Sequence, residues 1–289
     1  MADERLTAQT WRGGAPPALA RPDLMGWVRV IRRGLPAVMV LALGVPLLML
    51  LRLAERPFAG RRRPLSGPFV QGVCRAVLFC IGMGWRRIGT PMRGSGAVVA
   101  NHSSWLDIFT MNAAMPIFFV AKSEVSTWPG VNILTRVTDT HFVTRDPRLA
   151  SEQAAEFAAR TRAGHRLLFF PEGTSSDGRR VLPFKPTLFQ GFLAPEMPQA
   201  LVIQPLTAVY HAPKGEDARF YGWWGDMSLG PHILSVLAVK RQGSAEILLH
   251  EPIPVAGKDR KILSRAAETA IRAALPFDGA NSPSNTENP

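Results

Sequence analysis

Leu35 to Leu51 (LPAVMVLALGVPLLMLL) runs for 17 residues without a charge, and arginines crowd both of its ends. As a helix it covers about 25 Å, against roughly 30 Å of bilayer hydrocarbon, which is the short end of the spanning range. Pro36, Gly44 and Pro46 weaken or kink such a helix. Arg29, Arg32 and Arg33 precede the run, and Arg52, Arg56 and Arg61 to Arg63 follow it, so the flanking charge sets no orientation. A second apolar stretch, Pro68 to Trp85, has Arg75 in its middle and is followed by Arg86 and Arg87. The pattern points to two helices dipping into one leaflet, their arginines snorkelling to anionic phosphates, with a single span as the rival. A buried helix of a soluble core fits less well, because arginines at that density have no use in a core.

The charge of the chain follows the same division. Of a formal net charge of +12, residues 1–95 carry nearly all: 15 arginines, no lysine and four acidic residues. The remaining 19 basic and 18 acidic residues balance, as in an ordinary globular domain. Because the basic excess coincides with apolar helices rather than aromatic-interleaved strands, a nucleic-acid partner is disfavoured. A cleaved signal peptide is not expected either, since the apolar run starts after 34 residues and is followed at once by arginine. Cys74 and Cys80 stand six apart with no histidine near, and read as packing residues of a chain in a reducing compartment.

Residues 1–26 are polar and rich in Gly and Pro, and loose order is expected there. Residues 27–89 form the membrane-associating helical segment, 90–275 a single domain, and 276–289 a disordered Ser/Asn/Pro tail. Within the domain, strands are expected at 97–100, 117–121, 141–144, 167–170, 201–210 and 246–250. Helices are expected at 105–114, 125–137, 149–163, 187–193, 233–239 and 260–275. Strands alternating with helices imply an α/β fold, a mixed sheet flanked by helices, preceded by the two-helix membrane motif.

Two constellations carry chemistry. The spacing of His102 and Asp107 recurs at His141 and Asp146, and nearly at His211 and Glu216, so spacing alone says little. Setting separates them. His102 follows the apolar strand 97–100 and precedes a helix pattern, a strand-to-helix turn where α/β sheets hold ligands. From the first turn of that helix Asp107 can reach back to Nδ1, fixing the tautomer and leaving Nε2 as a base. His141 lies inside a strand pattern and reads as structural. Ser103 and Ser104 read as helix caps; a hydrolase using one of them as nucleophile is the alternative. The second constellation is the strand 167–170 running into Pro171-Glu172-Gly173-Thr174, which offers a carboxylate, backbone N–H groups and a hydroxyl to a polar headgroup. The bland alternative is a tight turn with Glu172 solvated.

Together these segments resemble the glycerolipid acyltransferase superfamily of the bacterial 1-acylglycerol-3-phosphate acyltransferase type. His102 and Asp107 match its Asn-His-x4-Asp motif, and Phe170 to Thr174 its Phe-Pro-Glu-Gly-Thr motif. Ala121, Lys122 and Glu124 resemble its Ala-Lys-x-Glu segment, Phe142 to Arg145 its Phe-Ile-x-Arg motif, and Val202 to Leu206 its final Val-x-Pro-Val block. The resemblance implies His102 and Asp107 as the catalytic pair, and Arg145 with Glu172, Gly173 and Thr174 as acceptor-binding residues. It also implies an acyl-CoA or acyl-carrier-protein donor, a lysolipid acceptor at the cytoplasmic face of the inner membrane, and no metal or other cofactor. Ser175 stands where phosphatidic-acid-forming enzymes carry Arg, and Asp139 where they carry Gly. With Gly222 to Met227, the loop looks more like lyso-ornithine lipid acyltransferases. An acceptor of 1-acylglycerol-3-phosphate, alone or in addition, is the alternative, and a non-catalytic membrane scaffold a more distant one.

Overall fold

The computed structural model describes residues 10–19, 21–122, 140–143, 148 and 150–276. The expected helix at 125–137, and Ser123, Glu124, Asp139, Arg145 and Asp146, lie outside the described residues.

Two helices open the chain, α1 (Leu24–Ala59) and α2 (Ser66–Ile81). Asp23 caps the first by accepting the N–H of Gly26 at 2.5 Å. At 36 residues α1 is about 54 Å long and passes through Pro36, Pro46 and Pro57 without ending, so the 17-residue reading of the apolar run is too short. Tertiary packing overrides the local breakers. Gly26, Val30, Arg33, Ala37, Gly44 and Leu48 form one buried stripe at helical spacing. At Gly44 a side chain would meet Val73 of α2 at 3.1 Å, so the absent Cβ is what lets the two helices close up. The other faces of α1, including Leu35, Val38, Leu43, Leu47, Leu50 and Leu53, are exposed. Glu55 is buried at the far end and accepts the N–H groups of Leu65 and Ser66 and the Ser66 hydroxyl, which ties the end of α1 to the start of α2.

The rest is a mixed sheet flanked by helices. Its strands are β1 (Gly84–Ile88), β2 (Gly96–Ala100), β3 (Phe118–Lys122), β4 (His141–Val143), β5 (Arg166–Phe169), β6 (Val202–His211), β7 (Ser244–Leu249) and β8 (Ile253–Pro254). The order is β1-β7-β6-β2-β5-β3-β4, with β8 also paired to β6. Pairing is parallel except for β6 with β7 and with β8. The described helices are α3 (Asp107–Ala114), α4 (Ala150–Arg162), α5 (Leu229–Ala238) and α6 (Arg260–Ala274), with a 3-10 helix at Pro186–Leu193. Strand β1 was not foreseen: it falls in the stretch assigned to the membrane segment, and the sheet begins at Gly84 rather than after residue 89. Its pattern is concealed because four of its five residues are exposed on an edge strand.

Strand β2 is buried over its whole length because both of its faces are covered. Val98 and Ala100 face one core, shared with α1, α2, α3 and α5; Ala97 and Val99 face another, shared with α4, α6 and the 3-10 helix. The N-terminal helices are thus one layer of the domain, joined to its core.

That docking corrects the snorkelling assigned to several arginines. Arg33 is buried and donates to the carbonyls of Leu237 and Val239 at 2.8 and 2.6 Å, and Arg29 donates to Ala238 at 2.5 Å. Both close the C-terminal end of α5, where free carbonyls and the helix dipole favour a cation. The same device holds α3: Gln71 and Arg75 of α2 donate to Ala113 at 3.1 and 3.0 Å, and Arg87 of β1 to Ala114 at 3.0 Å.

Candidate active site

The site is built where β2 ends between β5 and β6. Asn101, the first residue past the strand, is fully buried and pairs with β6 as a strand residue would: Oδ1 accepts Ala208 N–H at 2.8 Å and Nδ2 donates to Ala208 O at 3.0 Å. The chain then turns, and His102 emerges with its side chain about a quarter exposed. Its ring stacks on Phe170, the residue after β5, with centroids 4.0 Å apart.

Asp107 opens α3, has no exposed surface, and reaches back over the turn. Its Oδ2 lies 2.7 Å from His102 Nδ1 and accepts the backbone N–H groups of Ser103 and Ser104 at 2.9 and 3.1 Å. Oδ1 accepts the hydroxyl of Tyr210 at 2.7 Å. A carboxylate with these donors needs the proton on Nδ1, so Nε2 presents its lone pair outward. Among the described residues no group bonds Nε2. The expected caps are arranged otherwise: Ser104 Oγ accepts Leu106 N–H at 3.3 Å, and the Asp107 carboxylate closes the turn. Both serines are fully buried, and their backbone N–H groups serve Asp107.

Glu172 is also placed differently from a headgroup ligand. It is buried, and its two oxygens accept the N–H groups of His102 at 2.8 Å and Leu182 at 3.0 Å. Burial pushes its carboxyl up to about 8, against the opposing pull of those two donors. Glu172 therefore clamps the backbone of His102 to the loop that follows β5. Ser176 N–H completes the clamp by donating to His102 O at 2.8 Å. Gly173 takes φ +73, a left-handed conformation, and the ammonium of Lys185 lies 2.9 Å from where its Cβ would be. Thr174 Oγ1 accepts the N–H of Trp11 at 3.2 Å, which brings the N-terminal segment onto the loop.

A third segment, unassigned by spacing, locks against these two. Trp223 N–H donates to Ser103 O at 2.8 Å, and Gly222 passes so close to Asp177 that a Cβ would lie 2.8 Å from its carbonyl oxygen. Trp224 packs on Trp11 at 6.0 Å. Tyr210, Lys185 and Trp11 were all missed in the sequence, since each comes from a remote segment and none has a motif of its own. Arg145 lies outside the described residues, as does the side chain of Lys122. His141 sits in β4 with its ring 5.0 Å from Phe157, as its strand setting suggests. Among the described residues no cluster of His, Cys, Asp and Glu is arranged to hold a metal.

A family model described as Acyltransferase matches residues 89–208. The chain is 46% identical over 271 residues to a lyso-ornithine lipid O-acyltransferase of Rhodobacter capsulatus, covering 93% of this chain and 98% of that protein. It is 34% identical over 258 residues to one of Pseudomonas aeruginosa, covering 87% of this chain and 95% of that one. A 1-acyl-sn-glycerol-3-phosphate acyltransferase of Neisseria gonorrhoeae is 42% identical over 102 residues, 35% of this chain and 40% of that protein. The fold is that of the crystal structure of the 1-acyl-sn-glycerophosphate acyltransferase PlsC of Thermotoga maritima, with a TM-score of 0.58 at 19% identity, covering 88% of this chain and 99% of that one. With a relative this similar along nearly its whole length, the chain belongs to the acyltransferase family.

Proposed function

We propose that this acyltransferase moves a fatty acyl group from a thioester of acyl carrier protein or CoA onto the free hydroxyl of lyso-ornithine lipid, at the cytoplasmic face of the inner membrane. The observation that carries the chemistry is the His102–Asp107 pair: Nδ1 is held at 2.7 Å and Nε2 is left open beside a partly exposed ring face. Nε2 takes the proton of the acceptor hydroxyl as its oxygen attacks the thioester carbonyl. The carbon–sulfur bond then breaks, and the same proton passes to the departing thiolate, leaving an ester and a free thiol. No metal or other cofactor enters this scheme.

The acceptor is supported by the lyso-ornithine lipid relatives, which match most of the chain, and by Ser175 in place of an arginine. A second acceptor, 1-acylglycerol-3-phosphate, is favoured by the Neisseria match over the motif region. For the anionic acceptor groups Arg145 is assigned a binding role, with Gly173, Thr174 and Lys185 lining the loop and Glu172 holding it. The exposed apolar faces of α1, a helix long and apolar enough to cross a bilayer, suit contact with lipid tails. A cavity of about 570 Å³ at the end of that helix, lined by Met49, Leu53 and the arginines 52, 56, 61 and 63, suits the bilayer surface.

The test is turnover of purified protein in mixed micelles, given acyl-carrier-protein or CoA thioesters and either lysolipid. Loss of product in His102→Ala with membrane association unchanged is expected. Product from that variant would remove the base assigned to His102, and turnover of 1-acylglycerol-3-phosphate alone would reassign the acceptor.

A further inference from the structure

Outside the motifs, Asp107 has a partner on the opposite side of the domain's first core. Strand β6 places Leu206, Ala208 and Tyr210 on one face, in the core that also contains α3. At the strand's far end the Tyr210 hydroxyl meets Asp107 Oδ1 at 2.7 Å and Thr110 Oγ1 at 2.9 Å. A tyrosine hydroxyl has one proton. With that proton on Asp107, the one proton of Thr110 is shared between the Tyr210 oxygen and the carbonyl of Leu106, which the Thr110 hydroxyl reaches at 3.1 Å.

The load on the carboxylate is uneven. Oδ2 takes three donors, His102 and two backbone N–H groups, while among the described residues Oδ1 takes Tyr210 alone. We infer that Tyr210 is a positioning residue of the acyl-transfer site, one that fixes the rotation and charge distribution of Asp107 so that Oδ2 faces Nδ1 of His102. The inference rests on the reading of His102 as the base. Without the Tyr210 hydroxyl, a fully buried oxygen loses its donor, and the carboxylate can turn about its own axis. Burial and the adjacent Asp107 push the phenol well above the ordinary tyrosine range, so it stays a neutral donor at any working pH.

The ionisable groups around this pair come from four elements. His102 faces Asp107 from the turn, Tyr210 from β6, and Glu172 acts on it through space from the loop after β5. Tyr221 lies 5.9 Å from the Tyr210 ring, but its hydroxyl is engaged elsewhere, donating to Gln242 at 2.7 Å. That makes Tyr221 the matched control: a buried tyrosine of the same core whose hydroxyl does not touch Asp107.

The experiment compares Tyr210→Phe, Tyr221→Phe and His102→Ala with the full-length wild type in detergent micelles. The readouts are kcat, KM and the pH profile of kcat/KM, each per folded enzyme as judged by thermal unfolding. Tyr210→Phe is expected to lower kcat by roughly ten- to a hundredfold, with KM nearly unchanged. It should also move the acid limb of the profile to higher pH. The lost donor leaves more negative charge on the carboxylate that faces Nδ1, which sets that direction. Tyr221→Phe should keep the wild-type profile. A wild-type kcat and pH profile in Tyr210→Phe, with His102→Ala inactive, overturns the role of Tyr210 alone. Activity in His102→Ala overturns the reading of the base itself. A lower Tm in Tyr210→Phe with both kinetic readouts unmoved would reduce the hydroxyl to a structural contact and also overturn the inference.

Discussion

Oε1 of Glu172 accepts the backbone N–H of His102 at 2.8 Å, so the loop carrying Glu172 is tied to the turn carrying His102. Seventy residues separate the two in the chain. The relationship gives Glu172 a structural consequence that can be measured through its proton.

Burial raises the Glu172 carboxyl from an ordinary 4.5 to about 8, so between those values the folded protein binds more proton than the unfolded chain. Its contribution to stability is therefore complete below about 4.5 and is lost as pH rises through about 8. Glu172→Gln cannot ionise, and its amide group turns a donor toward one of the two N–H groups. The variant should unfold at lower temperature than the wild type, with the gap largest near pH 5 and narrower by pH 8. Thermal unfolding of both proteins across that range checks the sign.

Asp107→Asn keeps the shape of the side chain but removes the acceptor charge that orients His102. The two backbone N–H groups of Ser103 and Ser104 keep the amide oxygen at the Oδ2 position, so Nδ1 retains an acceptor without the charge that stabilises a protonated imidazole. Turnover should fall by about a thousandfold or more, with lysolipid KM little changed. Steady-state kinetics under saturating donor is the measurement.

Arg33→Met tests whether an arginine of the apolar segment is internal. The variant leaves the carbonyls of Leu237 and Val239 without their buried donor. A loss of roughly 2 to 4 kcal/mol is expected in denaturant unfolding, with vesicle binding unaffected. An arginine serving lipid phosphate would show the reverse, weaker binding to anionic vesicles and unchanged stability.

At Gly222 a methyl group would meet the carbonyl oxygen of Asp177 at 2.8 Å and the Trp224 ring at 2.9 Å. Backbone cannot yield there without pushing the Ser176–Gly178 turn off His102. Gly222→Ala should introduce strain of roughly 1 to 3 kcal/mol and lower kcat severalfold while the protein remains folded. Circular dichroism with a rate assay on the same sample separates the two effects.

Leu43 and Leu47 point outward from α1, 70% and 53% exposed. Replacing both by Asp places charges where lipid tails are proposed, at a cost on the order of 3 kcal/mol each. The double variant should shift from the membrane pellet to the supernatant yet keep its turnover in detergent micelles. Retention in the pellet would argue that another face holds the bilayer.

Local pattern was sufficient for the parts of this protein that depend on neighbouring residues. Strand β2 shows as an unbroken apolar run and β5 and β6 as largely apolar ones because both of their faces are buried, and His102 at the end of β2 is a consequence of chain order. The reach of Asp107 over five residues to Nδ1 is likewise a local turn, readable before any fold is known. Beyond that distance the sequence is silent for a physical reason: a hydrogen bond is legible only when its partner is. Tyr210 reaches Asp107 across 103 residues, Arg33 reaches Leu237 across 204, and Trp11 reaches Thr174 across 163. Whether Arg33 serves lipid or a helix end, and whether Glu172 holds a headgroup or a backbone, depends on what the tertiary fold packs beside each of them. The sequence by itself determined the alternation of strands and helices and the place of His102 at the end of β2; the fold alone decided which remote donors and acceptors hold that side chain in position.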